Sequence, residues 1–115
     1  MHVIRAEVAA TFEARSRGLM FRESLEPNQG MVFVFDEAAA HCMSMRNTLV
    51  PLSVAFMGAN GEITNIADMK PRDDTTHCAR QPVTHALEME RGWFAARGVK
   101  PGSRITGLER AVRPR

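Results

Sequence analysis

The sequence has few of the residues that mark several large classes of protein. It contains no tyrosine, one tryptophan and six phenylalanines among 115 residues, so no basic segment is interleaved with aromatic rings as in single-stranded nucleic-acid binders. No apolar run approaches the ~20 residues of a membrane-spanning helix. The 8 glycines and 6 prolines are too few for a collagen-like or disordered chain. One globular domain over residues 1–115 is therefore predicted.

The charge of the chain is nearly balanced. Of the 15 basic residues 13 are arginine, and 13 acidic residues leave a net charge of +2. A total this small is typical of solvated surface pairs, so we expect no nucleic-acid partner. The residues after Met1 lack the charged and then apolar pattern of a secretory leader. The compartment stays open, and a periplasmic form from which a leader has been removed is compatible with the sequence.

Alternating and short apolar runs predict a chain rich in β-strands. The expected strands cover residues 4–8, 31–35, 54–57, 83–90 and, with Val112, 104–106. Asn60-Gly61 predicts a type I′ turn after the 54–57 strand, which then pairs antiparallel with the next strand. Thr11 is the expected N-cap of a helix over 12–20 that Gly18 weakens or ends, and a second short helix is expected over 91–97.

Residues 68–82 contain two prolines and no apolar periodicity, so we expect a long surface loop there. Strands dominate the predicted elements and are joined by closely spaced turns. We therefore predict a mainly β fold, a compact antiparallel β-barrel or sandwich with two short helices.

Four sequence segments occur in a distinctive order. They read RGLMFR at 17–22, GMVFVF at 30–35, MRNTLVPL at 45–52, and LE at 87–88 ahead of Gly92. Together they resemble the linked motifs of the family called domain of unknown function 192, over a stretch from about Val8 to Ile105. The resemblance implies a compact β-rich fold, an export leader or lipid anchor in some members, and no established activity. Members commonly have an aromatic residue before Met45, where this chain has Ser44, so a less apolar site is expected.

The third of these motifs supplies candidate ligand-binding residues. Arg46 offers a planar guanidinium to an anion, and Asn47 offers a paired donor and acceptor, with Met45 and Thr48 beside them. The same residues also fit a turn in which Asn47 and Thr48 hydrogen-bond to the local backbone before Pro51. Both interpretations stay open, and such turns are common where strands are connected.

The resemblance adds Arg17, Arg22 and Glu88 to the candidate ligand-binding residues, because each lies in a linked motif. Glu88 could anchor one of the arginines in a charge-assisted pair. Such a pair is costly inside a protein unless it is fully hydrogen-bonded, so a role in organising the fold is favoured over chemistry.

The two cysteines allow three chemical states. Cys42 and Cys78, with His77, are soft ligands that could hold Cu(I), although neither segment has the spacing of a zinc site. The cysteines could instead form a disulfide closing a loop of about 37 residues, worth ~4 kcal/mol, or remain free thiols. Spacing alone does not choose among these states.

Sequence motifs of known catalytic sites are missing. There is no nucleophile elbow, phosphate-binding loop or paired-histidine zinc motif. We therefore favour a non-enzymatic module that binds a small molecule or a peptide without a cofactor, and leave enzymatic activity undecided. The alternative is a soft-metal, copper-binding or redox protein that uses Cys42, His77 and Cys78.

Overall fold

The computed structural model describes residues 2–111, which form seven β-strands, two short α-helices and a 3₁₀ turn. In chain order these are β1 (Arg5–Ala9), α1 (Phe12–Arg17), β2 (Gln29–Ala39), β3 (Cys42–Met43), β4 (Leu52–Met57), β5 (Ile63–Met69), β6 (His77–Cys78), β7 (Val83–Glu90), α2 (Trp93–Ala96) and the 3₁₀ turn (Leu108–Arg110). No helix in this part of the chain is long and apolar enough to cross a membrane.

Five strands form one sheet in the order β1-β2-β7-β4-β5, while β3 and β6 form a separate pair. The sheet is antiparallel except at β1, which runs parallel to β2. The predicted mainly β fold with two short helices is confirmed. The order begins at β1 and ends at β5 without closing on itself, so the predicted barrel or sandwich is not confirmed.

Both faces of the sheet are covered, and alternate residues of each strand divide between two apolar clusters. The first face combines strand and loop side chains: Met31, Phe33, Val54, Phe56, Leu19, Met45 and Val50. The second face combines strand side chains with those of α2: Val32, Ala55, Met57, Leu87, Met89, Trp93 and Phe94. Burial on both faces explains why residues 31–35 are apolar without interruption.

The antiparallel pairing predicted around Asn60 is confirmed, although the predicted turn type is wrong. β4 and β5 pair from Leu52 opposite Met69 to the turn, where the Gly61 N–H donates to the Gly58 carbonyl at 2.9 Å. Only Gly61 of the turn residues has a positive φ, at 83°. A type I′ turn needs two such residues, so a wider turn forms instead.

The two chain segments stay side by side beyond this hairpin. The Arg72 N–H donates to the Thr48 carbonyl at 2.9 Å, and farther out β3 pairs with β6 so that Cys42 lies opposite Cys78. The β3–β6 pair, called the ribbon below, therefore continues the β4–β5 hairpin after an interruption. The predicted loop over 68–82 is wrong in part, because it contains the end of β5 and all of β6.

Two other predicted elements are shorter in the structure. Thr11 caps α1 as predicted, with its Oγ1 accepting from the Ala14 N–H at 3.1 Å, but the helix ends at Arg17 because Gly18 takes a φ of 49°. The predicted helix over 91–97 is reduced to α2.

The predicted last strand is also reduced. It forms a single bridge, Glu62 with Arg104, and the chain then turns through the 3₁₀ segment. Val112, the remaining part of that predicted strand, lies outside the described residues.

Candidate functional site

Three chain segments meet where loops cover the first face of the sheet. These are residues 19–22, 45–50 and 71–75, and backbone hydrogen bonds join them. The Phe21 N–H donates to the Asn47 carbonyl at 2.9 Å, and the Met45 N–H donates to the Asp73 carbonyl at 3.0 Å. Between the segments lies a cavity of about 280 Å³, called the loop pocket, which is lined by Phe21, Arg46, Asn47, Leu49, Arg72 and Asp74.

The backbone around the loop pocket is held in an uncommon conformation. Among the described residues four non-glycine residues have a positive φ, and three of them line the pocket: Phe21 at 64°, Asn47 at 55° and Arg72 at 61°. Asparagine tolerates this conformation, whereas phenylalanine and arginine adopt it at a cost. Strain of this kind persists only where the surrounding structure enforces it, and it clusters at binding sites.

The side chains around the pocket are open to solvent and rich in positive charge. Phe21 is 66% exposed, and Arg46, Asn47 and Arg72 are also exposed. Within residues 2–111 neither arginine forms an ion pair, although Asp74 lies in the same lining. Two guanidinium groups beside an aromatic ring can bind a planar anion, by paired hydrogen bonds and by stacking.

The structure divides the predicted residues of the third motif into two groups. Arg46 and Asn47 line the loop pocket, whereas Met45 and Thr48 are buried beneath it. The Thr48 N–H donates to the Met45 carbonyl at 2.9 Å, and its hydroxyl donates to the Arg46 carbonyl at 3.2 Å. Met45 and Thr48 therefore hold the turn, while the two residues between them face the pocket.

Arg17, Arg22 and Glu88 do not come together. Arg22 forms a bidentate pair with Glu7, at 2.6 and 2.9 Å, and this bond lowers the pKa of Glu7. Arg17 is exposed in the last turn of α1. No ion pair within the described chain involves Glu88, so the predicted arginine partner is wrong.

The Glu88 side chain is buried in the interior of the protein and does not lie at the surface. It is 4% exposed in the central strand β7, opposite Met31 on one side and Val54 on the other. Burial raises the pKa of Glu88 to about 8. The side chain is therefore neutral over much of the physiological pH range, which is how a carboxyl group is accommodated among apolar neighbours.

The cysteine pair forms a disulfide, one of the three states that the sequence leaves open. The Cys42 and Cys78 sulfurs are bonded at 2.02 Å across the ribbon. In this state neither sulfur is a thiolate, the form that binds metals. Within residues 2–111 no three or more metal-ligating side chains gather into a site, and His77 Nε2 is buried without a hydrogen-bond partner. A copper site at Cys42, His77 and Cys78 stays a prediction for the reduced chain.

Four lining residues of the pocket are not among those predicted from the sequence: Phe21, Leu49, Arg72 and Asp74. A usable signal was present in the predicted hairpin. Along the sequence, Thr48 and Arg72 are equally far from Asn60, and so are Cys42 and Cys78. If the hairpin continues past its two strands, the members of each pair therefore lie opposite one another, as they do in the structure. The approach of Phe21 has no comparable signal.

The fold and the pocket define a class of small domain with a single five-stranded sheet. Loops that are linked by a disulfide cover one face of this sheet. The sequence model of the DUF192 family, described as "Uncharacterized ACR", matches residues 1–107. The chain belongs to this family. No curated protein shows significant similarity to it.

Solved structures share the fold closely. One is a Sinorhizobium meliloti 1021 protein proposed to be a transcription regulator, with a TM-score of 0.90 and 34% identity over 93% of this chain and 84% of that one. Another is a Novosphingobium aromaticivorans DSM 12444 protein of unknown function, with a TM-score of 0.86 and 38% identity over 90% of this chain and 74% of the other.

Proposed function

We propose that the chain is a non-enzymatic binding module that holds a small planar carboxylate in the loop pocket. The observation that carries the proposal is the convergence of Arg46 and Arg72, neither in an ion pair within residues 2–111, with the exposed ring of Phe21 on strained backbone. A strained backbone that displays charged and aromatic groups is a reason to infer binding.

The size and chemistry of the pocket narrow the ligand class. A volume of about 280 Å³ is just below the ~300–1,000 Å³ of sites for drug-sized ligands, so a compact acid fits better than a peptide. A carboxylate can accept paired hydrogen bonds from a guanidinium group, and the Phe21 ring can stack on an aromatic or other planar body. Asn47 supplies a further donor and acceptor.

The description of the Sinorhizobium protein as a transcription regulator is not extended to this chain. Helix-turn-helix proteins place a recognition helix in the major groove. Residues 2–111 contain no α-helix longer than the six residues of α1, so that docking mode has no counterpart there. We propose no DNA-binding role.

Benzoate is a suitable first probe, followed by amide chemical shifts in a titration of the full chain. We expect shifts concentrated at Phe21, Asn47 and Arg72, and none of comparable size with benzyl alcohol, which has the ring but no charge. The Arg46→Gln/Arg72→Gln variant should bind about tenfold more weakly or worse, since each charged hydrogen bond is worth ~1.5–3 kcal/mol.

The matched control is Arg5→Gln/Arg91→Gln, which removes the same charge from exposed positions outside the pocket. This control should bind benzoate like the wild type. Equal weakening in both variants would show a general charge effect and contradict the proposal. Loss of thermal stability in Arg46→Gln/Arg72→Gln, without loss of benzoate affinity, would assign the arginines to the turn instead.

A further inference from the structure

The second face of the sheet carries a larger cavity that is separate from the loop pocket. This apolar groove, as we call it, has a volume of about 600 Å³, within the ~300–1,000 Å³ of typical small-molecule sites. Val32 of β2 and Leu87 of β7 lie at its base, and both belong to the apolar cluster of the second face. No residue of the loop pocket lines it.

The walls of the groove are apolar and partly open to solvent. One wall consists of alternate residues in and just before the edge strand β1, namely Ile4, Ala6 and Val8. The other wall includes Ile105 and Leu108, which follow α2 in the chain. Val8 is 44% exposed and Val3, which also lines the groove, is 72% exposed, so aliphatic surface is in contact with water here. An apolar ligand chain placed there would remove this surface from water.

The charged side chains among the described residues that line the groove have one sign. Among the described residues that line it, Arg104 and Arg110 are the charged ones, His2 is the one other ionisable side chain, and no acidic residue is present. Neither arginine forms an ion pair within residues 2–111. The Arg110 guanidinium lies against Gly107, which also lines the groove.

An apolar base with an unneutralised basic rim complements a molecule that has a hydrocarbon body and an anionic end. A peptide would fit less well, because its polar backbone would lie against the apolar side chains of Val32 and Leu87. A carboxylate can instead accept paired hydrogen bonds from a guanidinium group at the rim, while its alkyl chain covers the base.

We propose that the apolar groove binds a medium-chain fatty acid, with its carboxylate at Arg104 and Arg110 and its alkyl chain along Val8, Val32 and Leu87. This site lies on the opposite face of the sheet from the loop pocket. It goes beyond the proposed function and does not depend on it.

Calorimetric titration of the full chain with saturated carboxylates of six, eight and ten carbons, kept below micelle-forming concentrations, tests the proposal. Each added methylene should tighten binding, by up to about fourfold where it is fully buried. Decanol, which has the same chain without the charge, should bind at least about tenfold more weakly than decanoate. Affinity that does not depend on chain length would overturn the proposal.

Two variants separate the contributions of the rim and the groove. Arg104→Gln/Arg110→Gln should weaken decanoate binding at least about tenfold and leave decanol binding unchanged. Ala6→Trp places a large ring into the groove from an exposed position and should abolish binding of both. Because a bulky residue in β1 can disturb folding, the surface arginine variant is the decisive one.

The controls distinguish this proposal from the other site and from a lipid surface. Arg5→Gln/Arg91→Gln removes the same charge elsewhere and should bind decanoate like the wild type, as should Arg46→Gln/Arg72→Gln. If Arg104→Gln/Arg110→Gln binds no more weakly than Arg5→Gln/Arg91→Gln, the arginines have no role at the rim. Binding to phosphatidylglycerol vesicles without binding to free decanoate would show that the groove faces a membrane, and would also overturn the proposal.

Discussion

The two faces of the sheet are covered in different ways, although the same strands supply both. The first face lies under loops that are hydrogen-bonded to one another and held by the Cys42–Cys78 disulfide. The second lies under α2 and a C-terminal segment held to β5 by the Glu62–Arg104 bridge and nearby backbone bonds. The first cover leaves a small polar pocket, and the second leaves a larger apolar groove.

This difference shows how one sheet can present two kinds of surface. Where the cover is cross-linked and its backbone is constrained, charged and aromatic side chains are fixed in place above a sealed core. On the second face, as far as residues 2–111 describe it, Val8 of β1 remains partly in contact with water. Stability and ligand binding can be changed on one face at a time, which tests whether the two faces are independent.

The largest effect is expected from the acidic residue buried on the first face. The unfolded chain releases the Glu88 proton near the ordinary pKa of 4.5, whereas the folded chain keeps it up to about pH 8. The folded state therefore loses stability relative to the unfolded state as pH rises from 4.5 to 8, by about 5 kcal/mol from this group, and the loss levels off above pH 8. Chemical denaturation at several pH values measures it.

Glu88→Gln should remove this part of the pH dependence, whatever its effect on stability at one pH. Glu90→Gln, at an exposed position two residues along the same strand, is the matched control and should keep the wild-type slope. An unchanged slope in Glu88→Gln would mean that the carboxyl group is not buried as described. Decanoate affinity should be unaffected in both variants, because neither residue lines the groove.

Removal of the disulfide should have the next largest effect. Cys42→Ser/Cys78→Ser should lower the free energy of unfolding by ~4 kcal/mol, because the unfolded chain regains the freedom of a long loop. The lining segments 45–50 and 71–75 both lie inside that loop, so benzoate binding should weaken as well. Decanoate binding should stay unchanged, and an equal loss at both sites would show that the two faces are not independent.

The smallest effect concerns Asn47, one of the three loop-pocket residues with a positive φ. Asn47→Ala should lower the free energy of unfolding by ~1 kcal/mol, because alanine is strained at a φ of 55°, whereas Asn47→Gly should change it little. Thermal unfolding distinguishes the two. Both variants lose the amide, so weaker benzoate binding in Asn47→Gly at unchanged stability would assign the side chain to the ligand. Equal stabilities in the two variants would contradict the strained conformation.

The local pattern of the sequence predicts most strands but not their arrangement. Alternation identifies β7, the uninterrupted apolar run identifies β2, and Asn60-Gly61 identifies the β4–β5 pairing. The parallel pairing of β1 with β2 could not be predicted in this way. The hydrophobic pattern of a strand indicates which of its faces is buried, but it does not indicate which strand is its neighbour. The two-residue strand β6 is too short to show a period.

The candidate site was predictable only in its polar centre. Arg46 and Asn47 stand out because they interrupt apolar residues, whereas Arg72 lies in a segment without periodicity and joins them through the extended hairpin. Glu88 shows the opposite error. The linked motifs suggested an arginine partner for Glu88, but its strand is covered on both faces and Glu88 lies between Met31 and Val54.

The position of β7 in the sheet has a consequence for biosynthesis. This strand separates β2 from β4, yet it is the last of the seven to leave the ribosome. Until residues 83–90 emerge, β2 and the β4–β5 hairpin have no common neighbour, so the sheet forms only after its last strand has been synthesised. Pairing between segments far apart in sequence is slow. We therefore expect a chaperone to act on the edges of β2 and β4 that are unpaired until β7 is available.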